Sequence, residues 1–254
     1  MKGGESRIRW VRLMAGLLAV FALFHGLATV LGSDRGQAGL LIGGTVVLAT
    51  VTAQTFLFGQ PPRVAAKWLG LGWPAGRGLA AAGAIALLLV SSMPLTLMLT
   101  GVSVNWYPGW LWLLPGLLAQ AGVAEEILFR GYLFRHLRDR RSFWRAAALA
   151  MGPFVLVHLI LFTSMPWPVA LAAVALAGAT TPPLAHLFEL GGNTIWAPAL
   201  VHFVMQATVK VVTFEGESGL LIPIVWMVAC ASLPYLVFLL KQPITLQETA
   251  IRVA

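Results

Sequence analysis

Gln120 to Arg135 reads Q-A-G-V-A-E-E-I-L-F-R-G-Y-L-F-R, and the reading of its charges decides what kind of chain this is. Two adjacent acids, Glu125 and Glu126, and a base four residues on, Arg130, stand in a run that is otherwise apolar. The stretch before it, Trp110 to Ala124, is apolar enough to lie in lipid. A charge inside a bilayer or at its edge is costly unless it is paired or used, so each of the three is a functional-site candidate. On a helix, residues i and i+4 share a face, which sets Glu126 one turn below Arg130 and within pairing reach. At ~3.6 residues per turn, Glu125 is turned roughly 100° away. On this reading Glu126 and Arg130 neutralise each other and brace the helix, and Glu125 is left free for chemistry. A competing reading makes all three the salt-bridged interfacial end of a membrane helix.

The rest of the chain agrees with a lipid setting. Hydrophobic residues make up 59% and charged residues 10%, with a mean hydropathy of +0.84. A soluble domain carries roughly 25% charged residues. The 254 residues accommodate about eight spans of ~20 residues with short loops. The apolar runs are continuous rather than alternating, which favours helices over barrel strands. The prediction is an all-α polytopic membrane protein with a polar intramembrane cavity, one transmembrane domain over residues 1–254. Spans are expected near 13–31, 38–58, 79–100, 110–134, 146–162, 169–187, 195–212 and 220–240. The first apolar run exceeds the ~7–15 residues of a signal h-region and is read as an uncleaved span. Gly39 and Gly43 form a small-xxx-small pair that permits close helix contact. The single cysteine, Cys230, excludes an intrachain disulfide or a thiolate metal cluster.

The net charge of +8 is an orientation signal and not a nucleic-acid footprint. With a cytoplasmic amino terminus, nearly every Lys and Arg outside the spans falls in the amino-terminal tail, residues 59–78, 135–145 and 189–194, and the carboxyl tail. Arg35 and Lys210 are the exceptions. The alternation survives all eight spans, as the positive-inside rule requires. A multi-pass protein with a cytoplasmic amino terminus is expected, and a bacterial or archaeal cell membrane is the expected location.

Three spans carry intramembrane polar groups: Glu125 and Glu126, then His158, then His202 with Gln206. At ~1.5 Å per residue, Glu125 lies ~15 Å from the basic end, His202 at a similar depth and His158 slightly deeper. An acid and two histidines at one level admit two chemistries. A glutamate base can activate water while the histidines position it and stabilise an oxyanion. Alternatively, two His and one Glu can hold zinc with an open position. Neither an H-E-x-x-H helix nor a G-x-S-x-G elbow is present. Elsewhere, His25 reads as a helix-contact residue, and His186 and Glu189 read as interfacial. Asn193 or Thr194 is placed to cap the helix that follows.

Glu125-Glu126-x-x-x-Arg130, Phe154-x-x-x-His158, and His202 followed four residues later by a polar side chain together resemble the CPBP family of intramembrane proteases, also called the ABI or CAAX-protease family. The stretch N-T-I-W-A-P-A-L-V-H, Asn193 to His202, is similar to that family's segment before its last histidine. The family-like core covers about residues 110–214. The resemblance implies an intramembrane endopeptidase acting on a membrane-anchored protein or peptide within the lipid bilayer. It implies Glu125 as general base, His158 orienting the water, His202 and Gln206 forming the oxyanion hole, and Glu126 with Arg130 in support. Gln206 departs from the family's usual Asn or Asp and is one methylene longer. A metal-free, glutamate-type mechanism is favoured, with a divalent zinc ion as the alternative. Two rival functions are a non-catalytic immunity or scaffold protein of the same fold and a small transporter. A transporter would favour inverted-repeat halves, and no repeat is evident.

Overall fold

A backbone in lipid must satisfy its N–H and C=O groups internally, and helices do so within one segment. The computed structural model describes residues 2–32, 35–215 and 221–241, and the predicted spans there are helices. In chain order they are α1 (Lys2–Val30), α2 (Gly39–Phe58), a short α3 (Pro62–Ala66), α4 (Gly76–Thr100), a strand β1 (Ser103–Trp106), α5 (Trp110–Arg138), α6 (Phe143–Thr163) and α7 (Trp167–Leu190). There follow α8 (Trp196–Lys210), a strand β2 (Val212–Glu215) and α9 (Ile222–Leu239). Among the described residues, seven of these helices are long and apolar enough to cross a membrane. The start of the last predicted span, Glu217 and the carboxyl tail beyond Lys241 lie outside the described residues.

The exception among the predicted spans is 195–212. Its helix, α8, has 15 residues and so spans ~23 Å, short of a ~30 Å hydrocarbon core. Eight of those residues, from Ala197 to Ala207, are buried, because α8 packs among α4, α5 and α7 as an internal post. After Val211 the chain leaves the helix and pairs as β2 with β1, antiparallel, with Val104 opposite Phe214 and Trp106 opposite Val212. Neither strand is expected from the sequence, where these residues fall in loops and at a span end. Their β-branched and aromatic side chains suit a short ribbon, and the pair closes one end of an otherwise helical bundle.

The helix α5 is the spine. Half of its most apolar window is buried, against 22–39% for the other six spanning helices. Every residue from Ile127 to Phe134 is inside. One core gathers α1, α2, α5 and α6 around Leu17, Ile42, Tyr132 and Phe134; a second gathers α4, α7, α8 and α9 around Leu89, Leu187, Val201 and Trp226. Gly39 and Gly43 bring α2 into backbone contact with α5. A Cβ on Gly39 would fall on the Gly116 carbonyl, and one on Gly43 on the Ala119 carbonyl.

The loops sort by charge. Arg9 donates to Asp139 at 2.8 Å, Arg138 to Glu189 at 2.6 Å, and the Arg141 guanidinium lies 5.3 Å over Trp10. Ala75 N–H donates to the Gly191 carbonyl and Ile195 N–H to that of Gly70. The amino-terminal segment and loops 59–78, 135–145 and 189–194 therefore meet at one basic end. At the opposite end the two exceptions meet each other: Arg35 donates to the Lys210 carbonyl at 2.6 Å and stacks 4.3 Å over Tyr107.

Three sequence readings need correction here. His186 is buried and not interfacial: its Nε2 meets the Leu240 carbonyl at 3.2 Å, and its ring packs on Phe143 and Phe238. The last turns of α7 lie in the core, which also takes Glu189 from solvent into its pair with Arg138. Neither Asn193 nor Thr194 caps α8. Gly192 and Asn193 take positive φ to reverse the chain, and the Thr194 hydroxyl donates back to the Gly191 carbonyl.

The close approach of α2 to α5 is testable at neighbouring glycines. Gly43→Ala should destabilise the protein by about 1–3 kcal/mol through forced separation of the helices. Gly44, whose Cβ would meet open space, should tolerate Ala. Thermal unfolding in detergent, comparing the two variants, checks this; equal melting temperatures would contradict the packing.

Candidate active site

The two acids sit at an irregular point of α5. The turns on both sides, Leu118–Ala124 and Ile127–Phe134, are widened to π-type, so that the Arg135 N–H reaches the carbonyl of Arg130. Such widened turns are rare and often mark functional sites. Gly122 lets α5 approach α8: a Cβ there would stand 3.0 Å from the Ala199 carbonyl. Three residues further along each helix come Glu125 and His202, which this contact brings together.

Glu126 is the centre of the network. Its Oε1 accepts from Arg130 Nη1 at 2.9 Å and from His202 Nδ1 at 2.7 Å. The side chains of Glu126, Arg130 and His202 are 0%, 2% and 8% exposed. Arg130 also lies 4.6 Å over the Phe154 ring. Charges taken this far from water persist only when paired and hydrogen-bonded. Because Nδ1 of His202 is committed to Glu126, its Nε2 is the atom turned to Glu125, 3.7 Å from Oε2. That gap is too long for a direct hydrogen bond and is the kind that a water bridges.

Glu125 differs from its neighbour by being reachable. Its side chain is 20% exposed, and it lines a cavity of about 220 Å³ together with Gln120 and Phe129 of α5, Val157, His158, Ile160 and Leu161 of α6, and Phe21, Phe24, His25 and Ala28 of α1. His158 donates Nδ1–H to the Phe154 carbonyl at 2.7 Å, which leaves Nε2 as an acceptor. Phe154 thus touches Arg130 on one side and holds His158 on the other. An apolar wall with a few convergent polar groups is the usual make-up of a ligand site.

The structure therefore joins Glu125, Glu126, Arg130 and His202 in one network, and places Glu125 and His158 on one cavity. It does not tie in Gln206, which is half-buried one turn after His202 and makes no hydrogen bond among the described residues. Sequence reasoning places the cavity among the fourth, fifth and seventh predicted spans. The cavity that Glu125 lines also takes a wall from α1, including His25, and Gln120 from the quoted stretch itself. A histidine and a glutamine at intramembrane positions were the available signals. The remaining histidine, His136, lies apart, meeting Gln54 at 2.9 Å between the rings of Phe58 and Trp68.

Among the described residues, no three His, Cys, Asp or Glu side chains are grouped so as to hold a metal ion.

Residues 105–208 match the family model described as type II CAAX prenyl endopeptidase Rce1-like. That segment is similar to the CAAX-protease family. The Rce1-like segment contains all of Glu125, Glu126, Arg130, His158, His202 and Gln206, and its family is the one that the motifs resemble. Nothing among the curated proteins and nothing among the solved structures matches the chain.

Removing Arg130 strands a buried carboxylate. Arg130→Ala should cost about 3–5 kcal/mol, the usual cost of breaking a buried pair from one side. Thermal unfolding in detergent reads this directly, and unchanged stability would mean that Glu126 does not depend on Arg130.

Proposed function

We propose that the chain is an intramembrane endopeptidase in which Glu125 activates the attacking water. One observation carries this reading. Of two adjacent acids in the membrane, Glu126 is sealed in ion pairs, and Glu125 opens onto a cavity that a histidine with a free acceptor nitrogen also lines. The Rce1-like match of residues 105–208 supports the same class of activity.

In the proposed mechanism, water held between the Glu125 carboxylate and Nε2 of His158 gives a proton to Glu125 as its oxygen attacks the scissile carbonyl carbon. A C–O bond forms, and the carbonyl π pair moves to the oxygen. His202, held by Glu126 through Nδ1, presents Nε2 on the Glu125 side; a proton carried there donates to the developing oxyanion. Gln206, one turn along α8, supplies the second donor once substrate draws its amide inward. Collapse of the tetrahedral intermediate breaks the C–N bond, and Glu125 returns its proton to the leaving amine. No step needs a metal ion. The substrate is a membrane-anchored protein or peptide whose scissile bond reaches the bilayer interior. The amino terminus is taken as cytoplasmic on the charge of the basic end.

Glu125→Gln keeps the shape of the side chain and removes the base. It should abolish cleavage while leaving expression and melting temperature unchanged. The check is a comparison of membrane proteomes from one strain background that expresses either the unchanged protein or the Glu125→Gln variant. Cleavage products that disappear only with the variant identify the substrate. Identical products from both would contradict the glutamate mechanism.

A further inference from the structure

A second built cavity, about 440 Å³, lies at the basic end, ~15 Å along α5 from Glu125. Its walls are two turns pinned to each other. Gly70 takes φ 95°, and a Cβ there would stand 3.1 Å from the Asn193 oxygen and the Ile195 nitrogen. Ile195 N–H donates to the Gly70 carbonyl at 3.1 Å and Trp196 Nε1 to the Gly72 carbonyl at 2.8 Å. Arg135 Nη1 donates to the carbonyls of Trp68 and Asn193.

Three cations line this cleft: Arg63, Lys67 and Arg135. Among the described residues, no acid lines it. The nearby acids are engaged elsewhere, Glu189 with Arg138 and Asp139 with Arg9. Arg63 in the first turn of α3 and Lys67 just after it stand four residues apart, a like-charge spacing that is unfavourable until an anion arrives. Arg135 is half-buried, stacked 4.9 Å over Trp68, and its Nε and Nη2 have no partner among the described residues. The rim is aromatic: Trp73 is 98% exposed. Exposed tryptophan beside basic residues at the end of a spanning bundle marks the headgroup level of a membrane.

We propose that this cleft binds the phosphate headgroup of an acidic phospholipid in the leaflet at the basic end. The guanidinium of Arg135 offers a planar donor pair to the phosphate oxygens, Arg63 and Lys67 add charge at the mouth, and Trp73 lies among the acyl-chain boundary groups. Basic pockets between membrane helices hold lipid headgroups by this chemistry. The site is independent of Glu125 and of any proteolytic activity.

The test uses the full chain in nanodiscs of phosphatidylcholine, with and without phosphatidylglycerol, and counts co-purified lipid by native mass spectrometry. The expected result is selective retention of phosphatidylglycerol, weakened roughly fivefold by each charge removed and on the order of 25-fold in the double variant Arg63→Gln/Lys67→Gln. Both positions are exposed, so the variant should fold. Arg140→Gln, at an exposed cation of the same end outside the cleft, should retain the lipid as the unchanged protein does. Equal retention by the double variant, or equal loss in Arg140→Gln, would overturn the proposal. So would displacement of the lipid by millimolar inorganic phosphate, which would make free phosphate the ligand.

Discussion

The structure depends on one buried carboxylate. Glu126 accepts from Arg130 on its own helix and from His202 on α8, and so fastens the spine of the bundle to the post beside it. Taking three ionisable side chains out of water is expensive, and only their mutual hydrogen bonding offsets the cost. The same bonds fix which atom of His202 faces the neighbouring acid. A charge cluster that would be a liability in lipid becomes a positioning device, with Glu125 left as the member still open to a cavity.

The backbone around this cluster is adapted to hold it. Widened turns stand before and after the acid pair, and the two consecutive carboxylates reach different nitrogens of one histidine, Glu126 at Nδ1 and Glu125 towards Nε2. Glycines set the approach distances: Gly39 and Gly43 for α2, Gly122 for α8, and Gly131, whose Cβ would meet the Leu69 carbonyl, for the turn after α3. The tight packing of α8 explains its length. Buried among other helices, it need not traverse the bilayer, and its chain is free to end in a two-stranded ribbon.

Much of this was legible in residues. Continuous apolar runs marked the spanning helices, and the distribution of Lys and Arg separated the two ends, down to Arg35 and Lys210 finding each other. The spacing of Glu126 and Arg130 anticipated their pair. What escaped was tertiary. Spacing along one helix cannot say that His202 lies against Glu126, nor that α1 supplies His25 to the cavity wall. The burial of His186 and Glu189 depends on how α7 ends inside the core. The left-handed turn at Gly192 and Asn193, which overrides the capping preference of Asn and Thr, is set by its packing on Gly70.

An asymmetry between adjacent acids is the central claim: Glu126 is sealed and Glu125 is reachable. Labelling the protein in detergent with a hydrophobic carbodiimide, and mapping the adduct by tandem mass spectrometry, measures that asymmetry directly. Modification is predicted at Glu125, with loss of activity in step with labelling and Glu126 untouched. Adduct formation at Glu126 with Glu125 unmodified would contradict it.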